Sequence, residues 1–352
     1  MYKKYHVYIS FLCMGLGATQ TYTSLEAWTW LYAKKFSAEE QGKNRDRQEV
    51  HFTHSDLPEF TQLVFSWNGF RCCTGYFSFW VQARDQQTRQ WSNWHKMIEW
   101  GNTTQRSYLS TQDQMTSYHH VRLEMNAGHA GDAFRIRVMA HDNADLSLIK
   151  ALTVSLSHLG KFQPEDIGTT ITSLPSVHIK NVPCKSQIIL QHEDNRKMCS
   201  PTSCSMLIGY LMGSVIDPID FALQAYDRGL EAYGSWPFNM AHAFERCNGQ
   251  IGFAIARLAS FGALHKHLQD GVPVVVSVRG ELEGAPKKYE SGHLLVVVGW
   301  NARKKRVICH DPALDEDKKT VKHYPLESFL RAWERSHRLA YVASPGAFVM
   351  VD

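Results

Sequence analysis

Residues 199–213 read CSPTSCSMLIGYLMG, and the fold of the C-terminal half turns on how this stretch is read. Cys204, Leu207, Ile208 and Leu211 recur at i, i+3, i+4 and i+7, the spacing of one buried helical face. Ser200 and Pro201 stand where the N-cap and first turn of such a helix belong. Cys204 lies on the stripe and reads as core. Cys199 precedes the stripe, at a helix start, where unpaired backbone N–H groups favour an anion and therefore a thiolate. Taken alone, Cys199 reads more readily as a buried structural cysteine.

A thiol nucleophile needs a base, and the base needs an orienting group. Downstream, Asp217–Cys247 and Ala263–Asp270 read as helical. Val272–Val278, Leu294–Trp300 and Val307–His310 are short β-branched runs that read as strands of one sheet. His293 opens the second run directly after Gly292, and Asp311 closes the third directly before Pro312. The chain holds 18 histidines, so position rather than residue type singles out His293. If the polar turn Asn301–Arg306 is centred on Ala302, the hairpin sets His293 directly opposite Asp311 on one face. The order Cys199, His293, Asp311 is that of a papain-like frame.

Working back towards the N-terminus, the period changes to two. Phe77, Phe79, Val81 and Ala83 alternate with Ser78, Trp80, Gln82 and Arg84. Phe134, Ile136, Val138 and Ala140, then Leu152, Val154 and Leu156, repeat the pattern, which predicts an antiparallel β-sandwich over 51–160. Residues 161–180 read as a linker or long surface crossing, and 21–50, with the charged run Ala38–Glu49, as a solvated spacer. Lys3 and Lys4 followed by Val7–Ala18 suggest a short signal peptide within 1–20, and hence export. A cytosolic N-terminus is the rival.

Composition narrows the function. The apolar share is 44% and the charged share 20%, as in a globular chain, and the net charge of +4 without a basic run does not mark a nucleic-acid binder. No apolar run approaches the roughly 20 residues of a membrane-spanning helix. The eight cysteines are even in number but irregular in spacing, with no CxxC pair for zinc. His265 and His267 have the spacing of strand metal ligands but fall in a helical stretch, so no metal or cofactor is assigned. Trp91, Trp94 and Trp100 read better as core aromatics than as a sugar-binding groove. Cys72 and Cys73 read as having separate fates rather than forming a vicinal disulfide.

Val182–Gln187 and Cys199–Ser203, followed by Trp236–Asn239, Gly280–Pro286, Ser291–Leu295 and His310–Ala313, resemble in order the C39-like bacterial cysteine peptidases. These are relatives of the bacteriocin-processing peptidases with a papain-like fold. The resemblance covers most of 181–320 and implies an α+β domain over 181–352, a helical part followed by an antiparallel sheet. It implies Cys199 as nucleophile, His293 as general base and acid, Asp311 as its orienting group, and Gln187 as an oxyanion-hole amide beside the Cys199 N–H. Many members carry Gly where this chain has Ser200, and a serine there is compatible as a helix cap. No GxxxxGK[ST] loop is present, so leader processing tied to export is not implied. The expected function is a secreted cysteine peptidase acting on peptides or proteins, whose β domain positions substrate or contacts a cell surface or carbohydrate. A transglutaminase-like acyltransferase or amidase on the same triad, or an inactive binding protein with this fold, are the rivals.

Overall fold

The computed structural model describes residues 27–109 and 111–345. The expected signal peptide, with Cys13, lies outside the described residues. The alternating segments fold as β1 (Thr29–Lys35), β2 (Glu49–His54), β3 (Gln62–Gly69), β4 (Tyr76–Asp85), β5 (His95–Gly101), β6 (Gln105–Ser107), β7 (Thr111–Gln112), β8 (Thr116–His119), β9 (Arg122–Met125), β10 (Gly131–His141) and β11 (Ile149–Ser157). They form two antiparallel sheets, ordered β1-β11-β3-β9-β8-β7 and β2-β10-β4-β5-β6. The apolar sets of β4 and β10 share one hydrophobic core with Phe65 and Trp67 of β3 and with Leu152, Val154 and Leu156 of β11. Trp67 and Phe79, one from each sheet, stack with centroids 4.4 Å apart.

The spacer expected over 21–50 is corrected. Thr29–Lys35 pairs with β11 along its whole length. The charged run forms a helix, α1 (Ala38–Asn44), because Ser37 and Glu40 make a capping box and Lys43 pairs with Glu39 at i,i+4. The tryptophan set also divides. Trp100 is 1% exposed and packs in the core against Trp67, so it cannot line an outer groove. Trp91 and Trp94 lie on the outside, under the guanidinium groups of Arg135 and Arg137 at 3.8 and 4.5 Å. The segment 161–180 contains one short helix, α2 (Thr169–Thr172), and is a pinned crossing. Glu165 accepts from Phe261 N at 2.6 Å, and Arg338 donates to Gln163 O at 3.1 Å.

The rest of the chain comprises β12 (Val177–His178), α3 (Cys199–Met212), α4 (Pro218–Gln224), α5 (Trp236–Arg246), β13 (Ile251–Arg257), α6 (Phe261–Gln269), β14 (Val274–Gly280), β15 (Tyr289–Asn301), β16 (Arg306–His310), β17 (Val321–Pro325), α7 (Leu326–Glu334) and β18 (Leu339–Pro345). The strands form one antiparallel sheet ordered β13-β18-β14-β15-β16-β17, with β12 also paired to β15. α3 packs against β14 and β15 and is buried almost all round from Ser200 to Gly209, which makes it a core helix rather than an amphipathic one. Its small polar residues are satisfied internally, as where Ser203 Oγ donates to Leu294 O at 3.0 Å. Gly213, at φ 60°, ends the helix in the left-handed conformation. The helical expectation over Asp217–Cys247 resolves into α4 and α5, separated by a loop over 225–235.

β13 is an edge strand, and side chains of the first sheet cover its free edge. Asn68 Nδ2 donates to Phe253 O and its Oδ1 accepts from Phe253 N, both at 2.8 Å. Ser66 Oγ accepts from Ile255 N at 3.1 Å, and Arg257 forks onto Gln62 Oε1. An exposed strand edge invites pairing with another chain, and polar side chains block it here. Asn68 is 1% exposed, so Asn68→Ala orphans a buried N–H and a buried C=O. A loss of about 2–3 kcal/mol is expected in urea unfolding; an unchanged midpoint contradicts this role.

Candidate active site

Cys199 is the first residue of α3, following Met198, which occupies the N-cap without a side-chain cap. This corrects the expectation that Ser200 caps the helix. Ser200 Oγ lies instead 3.0 Å from Tyr341 Oη, deep in the core. Cys199 is half-buried between the fully buried Met198 and Ser200. Burial opposes its ionisation. The hydrogen bond and charge of His293, with the backbone N–H groups of Leu294 and Ser200, outweigh that and hold the thiol below its ordinary range. Burial instead pushes the Cys204 and Cys309 thiols up, so both stay protonated. The seven described cysteines are all free thiols, with Cys72 buried and Cys73 exposed.

His293 is 4% exposed, and its Nε2–H donates to Asp311 Oδ1 at 2.8 Å. With Nε2 engaged there, Nδ1 is the ring nitrogen left for Cys199. Burial works against the imidazolium, but the Asp311 carboxylate and the Cys199 bond prevail and raise His293 to about 9. Asp311 is fully buried. Burial disfavours its charge. The His293 cation and the hydrogen bonds from His293, Tyr289 and Tyr324 reverse that and hold it near 2.

The expected hairpin register is corrected. The β15–β16 turn is longer than a turn centred on Ala302, and pairing runs Asn301↔Arg306, then Val297↔Cys309 and Val296↔His310 after a bulge. Continuing that register sets Leu295 opposite Asp311, so His293, which pairs with Val278 of β14 on its other side, lies diagonal to Asp311 rather than opposite. The imidazole still reaches the carboxylate, because diagonal neighbours on one sheet face remain within reach of a long side chain.

Two residues absent from the sequence-derived set complete the carboxylate's shell. Tyr289 Oη and Tyr324 Oη each donate to Asp311 Oδ2 at 2.6 Å, and Ala313 N donates to Oδ1 at 2.9 Å. The Tyr289 ring also stacks on His293, with centroids 4.1 Å apart and planes 15° apart. A register shift between Val278 and Gly280 allows this. It gives β15 extra residues, with Gly292 at φ 90°, and brings Tyr289 back over the imidazole. A side chain at Gly292 is disfavoured by that φ.

Gln187 is 3% exposed and is held from two sides. Its N–H donates to Pro312 O at 2.8 Å, next to Asp311, and its Nε2 donates to Asn195 O at 2.9 Å, in the turn leading to Cys199. Its Oε1 is buried with no hydrogen-bond partner. A second thiol–imidazole approach, Cys184 Sγ to His310 Nδ1 at 3.8 Å, is not of the same kind. That nitrogen donates to Pro183 O at 3.0 Å, and burial lowers the His310 pKa. Among the described residues no group of three or more His, Cys, Asp or Glu is placed to hold a metal ion, and His265 Nε2 bonds Pro175 O. No helix among them is long and apolar enough to cross a membrane.

Residues 179–341 match the family model of the Peptidase C39 like family. Over this stretch the chain is similar to the C39-like cysteine peptidases. The C39-like match runs from just after β12 into β18 and takes in Gln187, Cys199, His293 and Asp311. The two sheets built from residues 29–157 lie outside it. The chain is also similar to xylellain, a cysteine protease from Xylella fastidiosa known from a crystal structure. That likeness has 13% sequence identity and a TM-score of 0.31, and covers 52% of this chain and 90% of that one. No curated protein matches the chain.

Proposed function

We propose that the protein hydrolyses peptide bonds through Cys199, His293 and Asp311, with Gln187 completing the oxyanion hole. The observation that carries this reading is the chain His293 Nε2–Asp311, with His293 and Cys199 favouring each other's charged forms, in front of a fully buried, four-partnered Asp311. In the proposed mechanism the Cys199 thiolate adds to the scissile carbonyl. The oxyanion receives hydrogen bonds from the Cys199 N–H, in the first turn of α3 where no intrahelical acceptor exists, and from the second Nε2 hydrogen of Gln187. Imidazolium His293 gives its Nδ1 proton to the leaving amine as the C–N bond breaks. It then takes a proton from water, which attacks the thioester and releases the acid and the thiol. Residues 181–352 act as the peptidase domain, and the region before 161, including β1 and α1, as a β-sandwich that shapes substrate access.

The ion pair requires a deprotonated thiol beside a protonated imidazole. Falling pH protonates Cys199 and removes the nucleophile; pH rising through about 9 deprotonates His293 and removes the acid. A bell-shaped kcat/KM profile is expected on a fluorogenic peptide, with its acid limb below the ordinary thiol range and its alkaline limb near 9. A single ascending limb at the pKa of a free thiol contradicts the pair.

A further inference from the structure

A cleft of about 780 Å³ is lined by Ser291, two residues from His293, and by Arg279, next to the cross-strand partner of His293, Val278, and the β-sheet region before the peptidase domain builds part of it. One wall is the loop Gly229–Trp236 with Arg279 and Ser291; the other is His120, Val121 and Arg122, at the turn between β8 and β9. Tyr233 of the same loop belongs to one buried apolar cluster with Met198, the residue before Cys199.

The loop is closed by an antiparallel bridge between Asp227 and Ala232 and is strapped to β6. Asp227 is fully buried, and its Oδ1 accepts from Ser107 N at 2.8 Å and from Gly229 N at 2.9 Å. Gln105 Nε2 donates to Gln224 O and Tyr226 O at 2.8 and 2.9 Å, and Arg228 N donates back to Gln105 O. A Cβ at Gly229 would fall 1.8 Å from Ser107 O, so the loop backbone sits directly on the strand. The sheet region therefore both holds one wall of the cleft and supplies the other.

The charge in the cleft comes chiefly from two arginines. Arg122 lies under the Trp236 ring at 5.9 Å. It forms an ion pair with Glu124, whose Oε1 is 3.6 Å from Nε and also accepts from Gln62 Nε2 at 3.0 Å. Arg122 Nε is buried without a hydrogen-bond partner. Arg279 is exposed and has no acidic side chain paired with it among the described residues. The carboxylate facing the cleft, Glu231, is exposed to solvent at the loop tip. A planar guanidinium presents further N–H donors beyond Nε and is suited to a carboxylate, and a half-enclosed position strengthens the bond.

We propose that this cleft receives the substrate chain beside the scissile bond and selects an acidic side chain there, bound between Arg122 and Arg279. This inference rests on the peptidase reading for the cleavage itself. The test uses fluorogenic peptides that differ only in carrying Glu, Gln or Lys at each position flanking the cut. Glu is expected to raise kcat/KM about tenfold over Lys at one position. Arg122→Gln and Arg279→Gln are expected to erase that preference through KM, while Arg122→Lys keeps part of it and iodoacetamide alkylation of Cys199 is unaltered. An equal Glu-to-Lys ratio in wild type and both Gln variants overturns the proposal. Binding of the same peptides to the Cys199→Ala protein, read by fluorescence anisotropy, separates the two readings. If no peptide is cut but Glu peptides still bind about tenfold tighter than Lys peptides, the hydrolase reading falls and the cleft assignment stands. If no preference appears in binding either, the cleft assignment falls.

Discussion

Cys199→Ala is expected to abolish peptide hydrolysis, with a loss on the order of 10⁴-fold or more, and to remove alkylation by iodoacetamide at neutral pH. The loss should come without unfolding. Cys199 is half-buried at the first turn of α3, and the residues that anchor this turn, Met198 and Ser200, are untouched. Cys204→Ala is the control. It lies five residues on, 1% exposed on the core face, with its thiol held protonated by burial. That variant should lose about 1 kcal/mol of stability and keep both activity and labelling. Activity surviving in Cys199→Ala, or lost in a folded Cys204→Ala, reverses the assignment.

Asp311→Ala is expected to lower kcat by roughly 10²–10⁴-fold, since the imidazole loses the acceptor that fixes its tautomer and its direction. The pH profile distinguishes positioning from general damage. The Asp311 carboxylate is a principal cause of the raised His293 pKa, so its removal must move the alkaline limb from about 9 to lower pH. The same change leaves the Tyr289 and Tyr324 hydroxyls without an acceptor in a buried site, at a cost of about 1–3 kcal/mol each. Asp311→Asn keeps an acceptor of the same shape and should fall between Ala and wild type in both respects. An alkaline limb that stays at about 9 in Asp311→Ala would sink the positioning role.

Much of this was legible in the sequence, for reasons that differ by residue. The face of α3 was readable because Cys204, Leu207 and Ile208 keep helical spacing, and the β-branched runs behind β14, β15 and β16 needed no further context. Cys199, His293 and Asp311 each flank such an element, which is why position could single them out. The direct opposition of His293 and Asp311 failed because bulges in β15 shift its pairing on both sides, and a bulge has no composition of its own. Tyr289 and Tyr324 carried no signal. Tyr289 reaches the site only through one of those bulges, and Tyr324 through β17, a short strand whose residues do not alternate cleanly. β1 was hidden because its mixed sequence, TWLYAKK, leads into a charged run, although pairing with β11 satisfies its whole backbone. The strap of β6 on the loop around Asp227 joins residues about 120 apart in the chain, which no local pattern records.

The most direct test is the pH dependence of alkylation, site by site. The native protein is treated briefly with iodoacetamide across a pH series and each cysteine is quantified by peptide mapping. Cys199 should react first and alone, with a midpoint below the ~8.5 of a free thiol, and His293→Ala should return that midpoint towards the free value. A Cys199 midpoint at or above the free value in the wild-type protein, or reaction at Cys73 and Cys184 while Cys199 stays inert, contradicts a thiolate held ready by His293 and Asp311.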